Sequence, residues 1–365
     1  MSAPELNEDD KKAVLEVLRT GRLALGPKAV EFEKAMADYI GVKYAVAVSS
    51  GTSGLHILVK SLNIKDGDEV LVPSFTFAAS VNAIIYENAK PVFVDIEPET
   101  YNLDPEDLER KITRKTKAIM AVDVFGHPAE WDRILEIACK YNLKVIDDSC
   151  EALGAEYKGR KVGQFGDAAC FAFYPNKQIT TGEGGIIVTN NPEIAKIARS
   201  LRNQRRDEMC AWLEHNRLGY NYRMDEMSAA LGVSQLKRIE TFLAKRERVA
   251  RSYTDSLKKF SWVKTPSVKP YVRMSWFVYV VTLKEGLDRD IIIKRLEEKG
   301  IPARGYFSPI HLQPYIKKAF GTKEGMLPVT ENIAKRTLAL PFHNNLMEEE
   351  IKRVVEELKA AVEWG

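Results

Sequence analysis

Lys177 stands between two apolar runs, bracketed by Tyr174-Pro175-Asn176 on one side and Gly182-Glu183-Gly184-Gly185 on the other. A loop lysine is ordinarily a solvated cation. Inside a pocket closed by such a loop, the amine can be kept neutral and nucleophilic. A second candidate is VIDDSCEALGA, Val145 to Ala155, where Asp147 and Asp148 end an apolar strand. Ligands of open α/β sheets bind at that edge, and successive strand residues face opposite sides, so one aspartate alone enters the cleft. Either could equally be a helix cap or a magnesium ligand.

A third stretch is SSGTSGL, Ser49 to Leu55. Gly51 and Gly54 frame a turn at which a strand ends and a helix begins. The first amides of that helix, with the hydroxyls of Thr52 and Ser53, suit a phosphate. A Ser/Thr cap on a plain strand–turn–helix explains the same residues. It is neither a Walker loop nor GxGxxG, which speaks against ATP and NAD. The fourth stretch, LGYNYRMDEMSAALG (218–232), sets Asn221 and Arg223 among aromatics before a helix, for which Asp225 is the expected cap. A phosphate cradle, a strand-end acid and a loop lysine, in that order, are what pyridoxal 5'-phosphate (PLP) requires: a lysine for the Schiff base, a carboxylate to keep the ring nitrogen protonated, and an anchor for the phosphate.

These residues need a scaffold, and the apolar pattern supplies one. Residues 28–40 repeat at helical spacing up to Gly41. Strands are expected at 44–50, 69–74, 91–96, 117–125, 144–149, 168–173 and 184–189. Helical patterns fall between them, as at 105–112 and 131–142. Several strands are apolar throughout, as in a mostly parallel sheet covered on both faces. Beyond about residue 230 a charged amphipathic stretch (235–257) leads to WFVYVVTL (276–283) and to helices at 290–300 and 348–364. The expected fold is α/β: a large PLP-binding domain, residues 1–240, with a mostly parallel mixed sheet flanked by helices, and a smaller α+β domain, residues 241–365.

The bulk composition narrows the function. Of 365 residues, 45% are hydrophobic and 29% charged, as in a folded globular chain. The 54 basic and 51 acidic residues leave a net charge of +3 with no run of one sign, so no nucleic-acid partner is expected. The four cysteines, Cys139, Cys150, Cys170 and Cys210, form no CxxC pair and read as reduced thiols of a cytoplasmic protein. The histidines show no zinc spacing, so no metal is expected. MSAPELNEDDKK is acidic and polar, unlike a secretory leader, and no apolar run approaches the roughly 20 residues of a membrane span.

From about Leu18 to the last helix the chain resembles the DegT/StrS family of PLP-dependent nucleotide-sugar aminotransferases, of fold type I. The resemblance is carried by TGRLALGPKAVEFE, SSGTSGLHIL, GDEVLVPSFTFAAS, KPVFVDIEPETYNLD, VFGHPAEWD, VIDDSCEALGAEYKGRKVG, GEGGIIVT, LGYNYRMDEMSAALG and GIPARGYFSPIHLQPY. It implies that Lys177 is the Schiff-base lysine, Asp148 the partner of the pyridinium nitrogen, Gly51, Thr52 and Ser53 the phosphate cradle, and Phe77 the aromatic stacked on the ring. Asn221 would reach the phosphate of a neighbouring subunit's cofactor, so a homodimer with shared sites is implied. Tyr306 and His311 fall in the segment that lines the sugar site. Glu151 stands where the family has Gln, near the ring's phenolic oxygen, and a raised carboxyl pKa is expected there. Ala172 replaces a phosphate-binding Ser, a loss of roughly 1.5–3 kcal/mol of cofactor binding.

The implied reaction is ping-pong transfer from L-glutamate to a nucleotide-linked keto-sugar at C4 or C3, for cell-surface polysaccharide or amino-sugar biosynthesis. Three other readings compete. A sugar dehydratase of the same family would carry histidine in place of Lys177. A PLP-binding regulator without turnover would show a DNA-binding element. A generic nucleotide-binding protein would leave Lys177 and the GEGG loop unexplained.

Overall fold

The computed structural model describes residues 3–204 and 218–363; Cys210 and Trp364 lie outside them. The strands in chain order are β1 (Tyr44–Val48), β2 (Glu69–Pro73), β3 (Lys90–Val94), β4 (Thr116–Val122), β5 (Lys144–Asp148), β6 (Glu156–Tyr157) and β7 (Arg160–Lys161). They continue with β8 (Ala168–Ala172), β9 (Gly185–Thr189), β10 (Val263–Lys264), β11 (Val272–Arg273), β12 (Tyr279–Leu283) and β13 (Thr337–Leu340). Seven of them form the main sheet in the order β1-β9-β8-β5-β4-β2-β3. β8, β5, β4, β2 and β3 run parallel, and β9 is antiparallel to both its neighbours. The fold is thus α/β with a mostly parallel mixed sheet. All seven main strands overlap the runs expected from the sequence. Most of their β-branched and apolar residues are buried because helices cover both faces.

On one face lie α3 (Gly51–Ser61), α4 (Ala78–Ile85) and the helix Pro192–Arg202. The other face is covered by α2 (Pro27–Ile40) and the helices Trp131–Tyr141 and Glu226–Leu236. The sequence pattern missed α1 (Glu8–Thr20), whose capping box pairs Asn7 with Asp10. The stretch read as one amphipathic run at 235–257 is broken at Lys237-Arg238, where the helix Glu226–Leu236 gives way to Ile239–Leu257. The second helix is rooted twice. Ile239, Phe242 and Leu243 pack beside α2, while Val249, Ala250, Tyr253 and Leu257 join the core of the C-terminal sheet, β10-β12-β13. No described helix is long and apolar enough to cross a membrane.

Candidate active site

The carboxyl ends of β1, β2, β4, β5 and β8 meet the start of β9 around one cavity of about 660 Å³, roofed by residues 305–315. Strand ends are where an α/β sheet leaves its backbone groups unpaired, and the helices that follow aim their N-termini at the same place. At the end of β1, Ser50 caps α3: its hydroxyl accepts from the Ser53 N–H, and the Ser53 hydroxyl accepts from the Ser50 N–H. The Gly51 and Thr52 amides, first in the helix, have no intrahelical acceptor and stand at the cavity wall. Glycine is required here, because a Cβ on Gly51 would meet Ala172 Cβ at 2.8 Å and Cys150 Sγ at 2.9 Å. On Gly185 a Cβ would strike the Ser50 carbonyl carbon at 2.5 Å. The GEGG segment is therefore small so that β9 can lie against the cradle.

The two aspartates separate as strand alternation requires. Asp148 lines the cavity, held by the Ser80 hydroxyl (2.6 Å) and the Cys150 N–H (3.2 Å). Asp147 faces the opposite side and is sealed from solvent. Its Oδ2 accepts from the Gly163 N–H at 2.9 Å, and its Oδ1 lies 2.6 Å from Ser149 Oγ. The same Ser149 Oγ lies 2.8 Å from Asp123 Oδ2. One hydroxyl proton serves one acceptor, so one of the two carboxyls must be protonated. Burial and the neighbouring Asp123 charge push Asp147 well above the usual carboxylate range, and burial raises Asp123 to about 6.

Lys177 enters the cavity from the loop after β8. Its Nζ lies 4.0 Å from the centre of the Phe277 ring and 3.6 Å from Glu151 Oε1. The other Glu151 oxygen accepts from the Phe125 N–H at 3.1 Å. Burial raises the Glu151 pKa, against the opposing pull of Lys177. The loop's backbone is pinned on both sides of the amine. Buried Arg246 donates to the carbonyls of Lys177 (3.2 Å), Trp276 (2.9 Å) and Phe277 (3.1 Å). Gln178 donates to the Glu151 carbonyl (2.6 Å) and the Ser275 hydroxyl (2.9 Å). Cys150 also lines the cavity, but the adjoining Cys170 thiol and burial push it up, so it stays a protonated thiol.

Most of the expected residues converge. Gly51, Thr52, Phe77, Asp148, Glu151, Lys177 and Tyr306 all line this cavity. Two expectations are corrected. The Ser53 hydroxyl is absorbed into the cap of α3 and does not face the cavity, because it serves the N-cap amide and carbonyl of Ser50. His311 is fully buried: Nδ1 lies 2.7 Å from Ser74 Oγ and Nε2 3.1 Å from Glu331 Oε1. With both ring nitrogens occupied it docks the 310–312 turn onto the end of β2 rather than touching a ligand. Asn221 is exposed and lies outside its own chain's cavity, in a segment bridged to Asn203. Asp225 caps the next helix through the Ser228 N–H. The sequence did not flag Ser80, Phe277 or Arg246. Ser80 closes the GDEVLVPSFTFAAS stretch and Arg246 lies within the amphipathic run 235–257, neither at a spacing that points to the cavity, and Phe277 lay in the apolar run 276–283. That run turns at Trp276, whose φ is 53°, and β12 begins only at Tyr279.

The model of the DegT/DnrJ/EryC1/StrS aminotransferase family matches residues 4–359. The chain belongs to that family. It is 43% identical to the GDP-perosamine synthase of Caulobacter vibrioides, covering 97% of this chain and 96% of that one. It is 36% identical to the UDP-2-acetamido-2-deoxy-3-oxo-D-glucuronate aminotransferase of Pseudomonas aeruginosa, over 92% and 91% of the two chains. The PLP form of a putative sugar aminotransferase from Streptococcus pneumoniae superposes with a TM-score of 0.94 at 28% identity, over 100% of this chain and 98% of that one. As a member of the DegT/DnrJ/EryC1/StrS family, the protein is a PLP-dependent aminotransferase. Its cavity fits that cofactor: amides without an intrahelical acceptor at the head of α3 suit a phosphate, a fixed carboxylate suits a ring nitrogen, and a largely buried amine suits an aldehyde.

Proposed function

We propose that this aminotransferase moves the amino group of L-glutamate to a nucleotide-linked keto-sugar, at C3 or C4, for cell-surface polysaccharide or amino-sugar biosynthesis. The observation that carries the reading is the gathering of Lys177, Asp148 and the head of α3 around one cavity large enough for a sugar beside the cofactor. The relatives act on GDP- and UDP-linked sugars by their names. Aromatic side chains in the cavity lining, Tyr174, Tyr306, Phe307 and Tyr315, suit the flat faces of sugar and base.

Bound PLP supplies an aldehyde that bonds amines and a protonated ring that takes up an electron pair. The chain's own residues do the rest. Thr52 and the first amides of α3 would hold the phosphate, Phe77 one ring face, and Asp148 the ring N–H. Ser80 and the Cys150 amide keep Asp148 aimed into the cavity. Lys177 Nζ would hold the cofactor's aldehyde and, once freed, would be placed to take the proton from the donor Cα and to give it back on the far side of the donor nitrogen. In the second half the same amine runs the transfer backward onto the sugar carbonyl.

A homodimer with shared sites belongs to the reading. Among the described residues the cavity lining holds one cation, Lys177, beside Asp148, Glu151 and Glu183, yet phosphate, glutamate and nucleotide are all anionic. Groups from a second copy, Asn221 among them, would balance this. The reading also divides the chain at about residue 240, with the helix Ile239–Leu257 as the joint, and sets the reaction in the cytoplasm. Free Cys139, Cys150 and Cys170 accord with a reducing compartment.

The test is a panel of GDP-, UDP- and dTDP-linked 3- and 4-keto-sugars with glutamate as donor, followed by product analysis. Amination of one of them is expected. No amination of any, in protein that converts glutamate to 2-oxoglutarate, would overturn the sugar.

A further inference from the structure

Arg246 is a cation buried where, among the described residues, no acid meets it. It projects from the helix Ile239–Leu257 with 3% of its surface exposed, and burial is what lowers its pKa, to about 10. It is therefore still charged at neutral pH. Its Nε is buried with no hydrogen-bond partner among the described residues. A lone guanidinium in a dry interior is unfavourable, and an apolar side chain of similar length would fill the same space without that penalty. What the charged group does there is hold three carbonyls. Nη2 donates to Lys177 at 3.2 Å, and Nη1 to Trp276 at 2.9 Å and to Phe277 at 3.1 Å.

These carbonyls lie at the two ends of one arm. Lys177 roots the chain that ends in Nζ, and Phe277 carries the ring over which Nζ rests, 4.0 Å from its centre. The Phe277 turn is strapped from its other side as well. There the Ser275 N–H donates to the Gly126 carbonyl and the Phe277 N–H to that of Phe125, both at 3.0 Å. A Cβ on Gly126 would meet the Trp276 nitrogen at 2.9 Å, so the two backbones touch. Trp276 has a φ of 53°, a conformation a bulky residue adopts only when its surroundings impose it. The lysine arm has many rotamers, and fixing both its root and its resting place removes most of them.

We propose that Arg246 is the positioning residue for Lys177: one rigid planar group sets both the root of the lysine and the ring beneath its amine, and through them the place from which the amine acts. Arg246 is absent from the cavity lining and acts through the Lys177 and Phe277 backbone. Because its helix is planted in both cores, the aim of the amine is tied to the seating of the C-terminal sheet. The inference rests on Lys177 being the amine that bonds PLP and moves the proton.

The experiment compares wild type with Arg246→Lys and Arg246→Met. Lysine keeps the cation without the planar fork, and methionine keeps only the bulk. In the full-length protein without cofactor, hydrogen exchange read by mass spectrometry is expected to quicken at the Lys177 and Phe277 amides in both variants, while β4 and β5 keep their protection. In the PLP-loaded protein, the single-turnover rate at saturating glutamate is expected to fall about 10²-fold in Arg246→Met and less in Arg246→Lys, with glutamate affinity little changed. A role in stability alone would lower the melting temperature and leave the rate of the folded fraction at its wild-type value. If Arg246→Met does not fold, Arg246→Lys decides. A folded Arg246→Lys that turns over at the wild-type rate would overturn the positioning role, because one ammonium does not span both segments as the fork does. Wild-type protein that takes up no PLP at Lys177 would defeat the cofactor assignment, and this inference with it.

Discussion

At the end of β5 two consecutive aspartates meet opposite fates. Asp147 is walled in with Asp123, Ser149 and the Gly163 amide, where one proton must be retained. Asp148, one residue on, stands at the edge of a cavity with each of its oxygens held by a donor. Residue type is the same and backbone is continuous. What differs is the face of the sheet, and with it whether the carboxyl's partners are other acids or hydrogen-bond donors. The lesson is that pleat alternation sorts chemistry from architecture, and a change on each face should break a different property.

The largest effect is expected on the cavity face. On the roles proposed for it, Lys177→Ala should lower transamination by at least about 10³-fold, since both the covalent anchor and the proton carrier would go. Steady-state rates with glutamate measure it, and near wild-type turnover would remove Lys177 from the chemistry. Asp148→Asn comes next, with a loss of roughly 10²–10³-fold at an unchanged melting temperature, because an amide does not hold a ring nitrogen protonated. Equal damage from Asp147→Asn would erase the distinction between the faces.

His311→Ala sharpens the comparison from another side. Loss of a buried, doubly bonded ring should cost about 2–4 kcal/mol of stability in a denaturant titration, with the sugar KM little changed. A large KM effect with intact stability would return His311 to the substrate site.

The smallest effect is expected from Asp147→Asn itself. Asp123 titrates near 6 in the fold, above its unfolded value near 4, and Asp147 is also raised. The folded state therefore binds more protons than the unfolded chain between those values, and stability falls as pH rises through the window from about 4 to 6. Asparagine can still donate to Ser149 and accept from Gly163. The variant should match wild type at pH 4.5 and exceed it at pH 7.5 by on the order of 2 kcal/mol, a shift of a few degrees, with activity kept. Equal shifts at both pH values would show that no proton is trapped there.

Much of this was legible in the sequence. The main strands announced themselves because they are buried on both faces and so rich in apolar residues, and a period of two showed that only one of Asp147 and Asp148 enters the cleft, the family resemblance pointing to Asp148. The failures share a cause. Ser53 and His311 carry chemistry-capable groups, and residue type alone does not reveal that a cap or a buried partner has already claimed them. Ser80, Phe277 and Arg246 were invisible for the converse reason. Each matters through a contact distant in the chain, as when Arg246 reaches the carbonyl of Lys177. The short strands β6, β7, β10 and β11, two residues each, carry too little pattern to stand out.

The helix Ile239–Leu257 has a practical consequence. Its first turns are planted beside α2 and its last in the C-terminal core. A cut near residue 240 would therefore strand Phe242 and Leu243 on one fragment without their neighbours, and leave an uncovered greasy trough on the other. The two pieces should precipitate when expressed apart, and co-expression should rescue both.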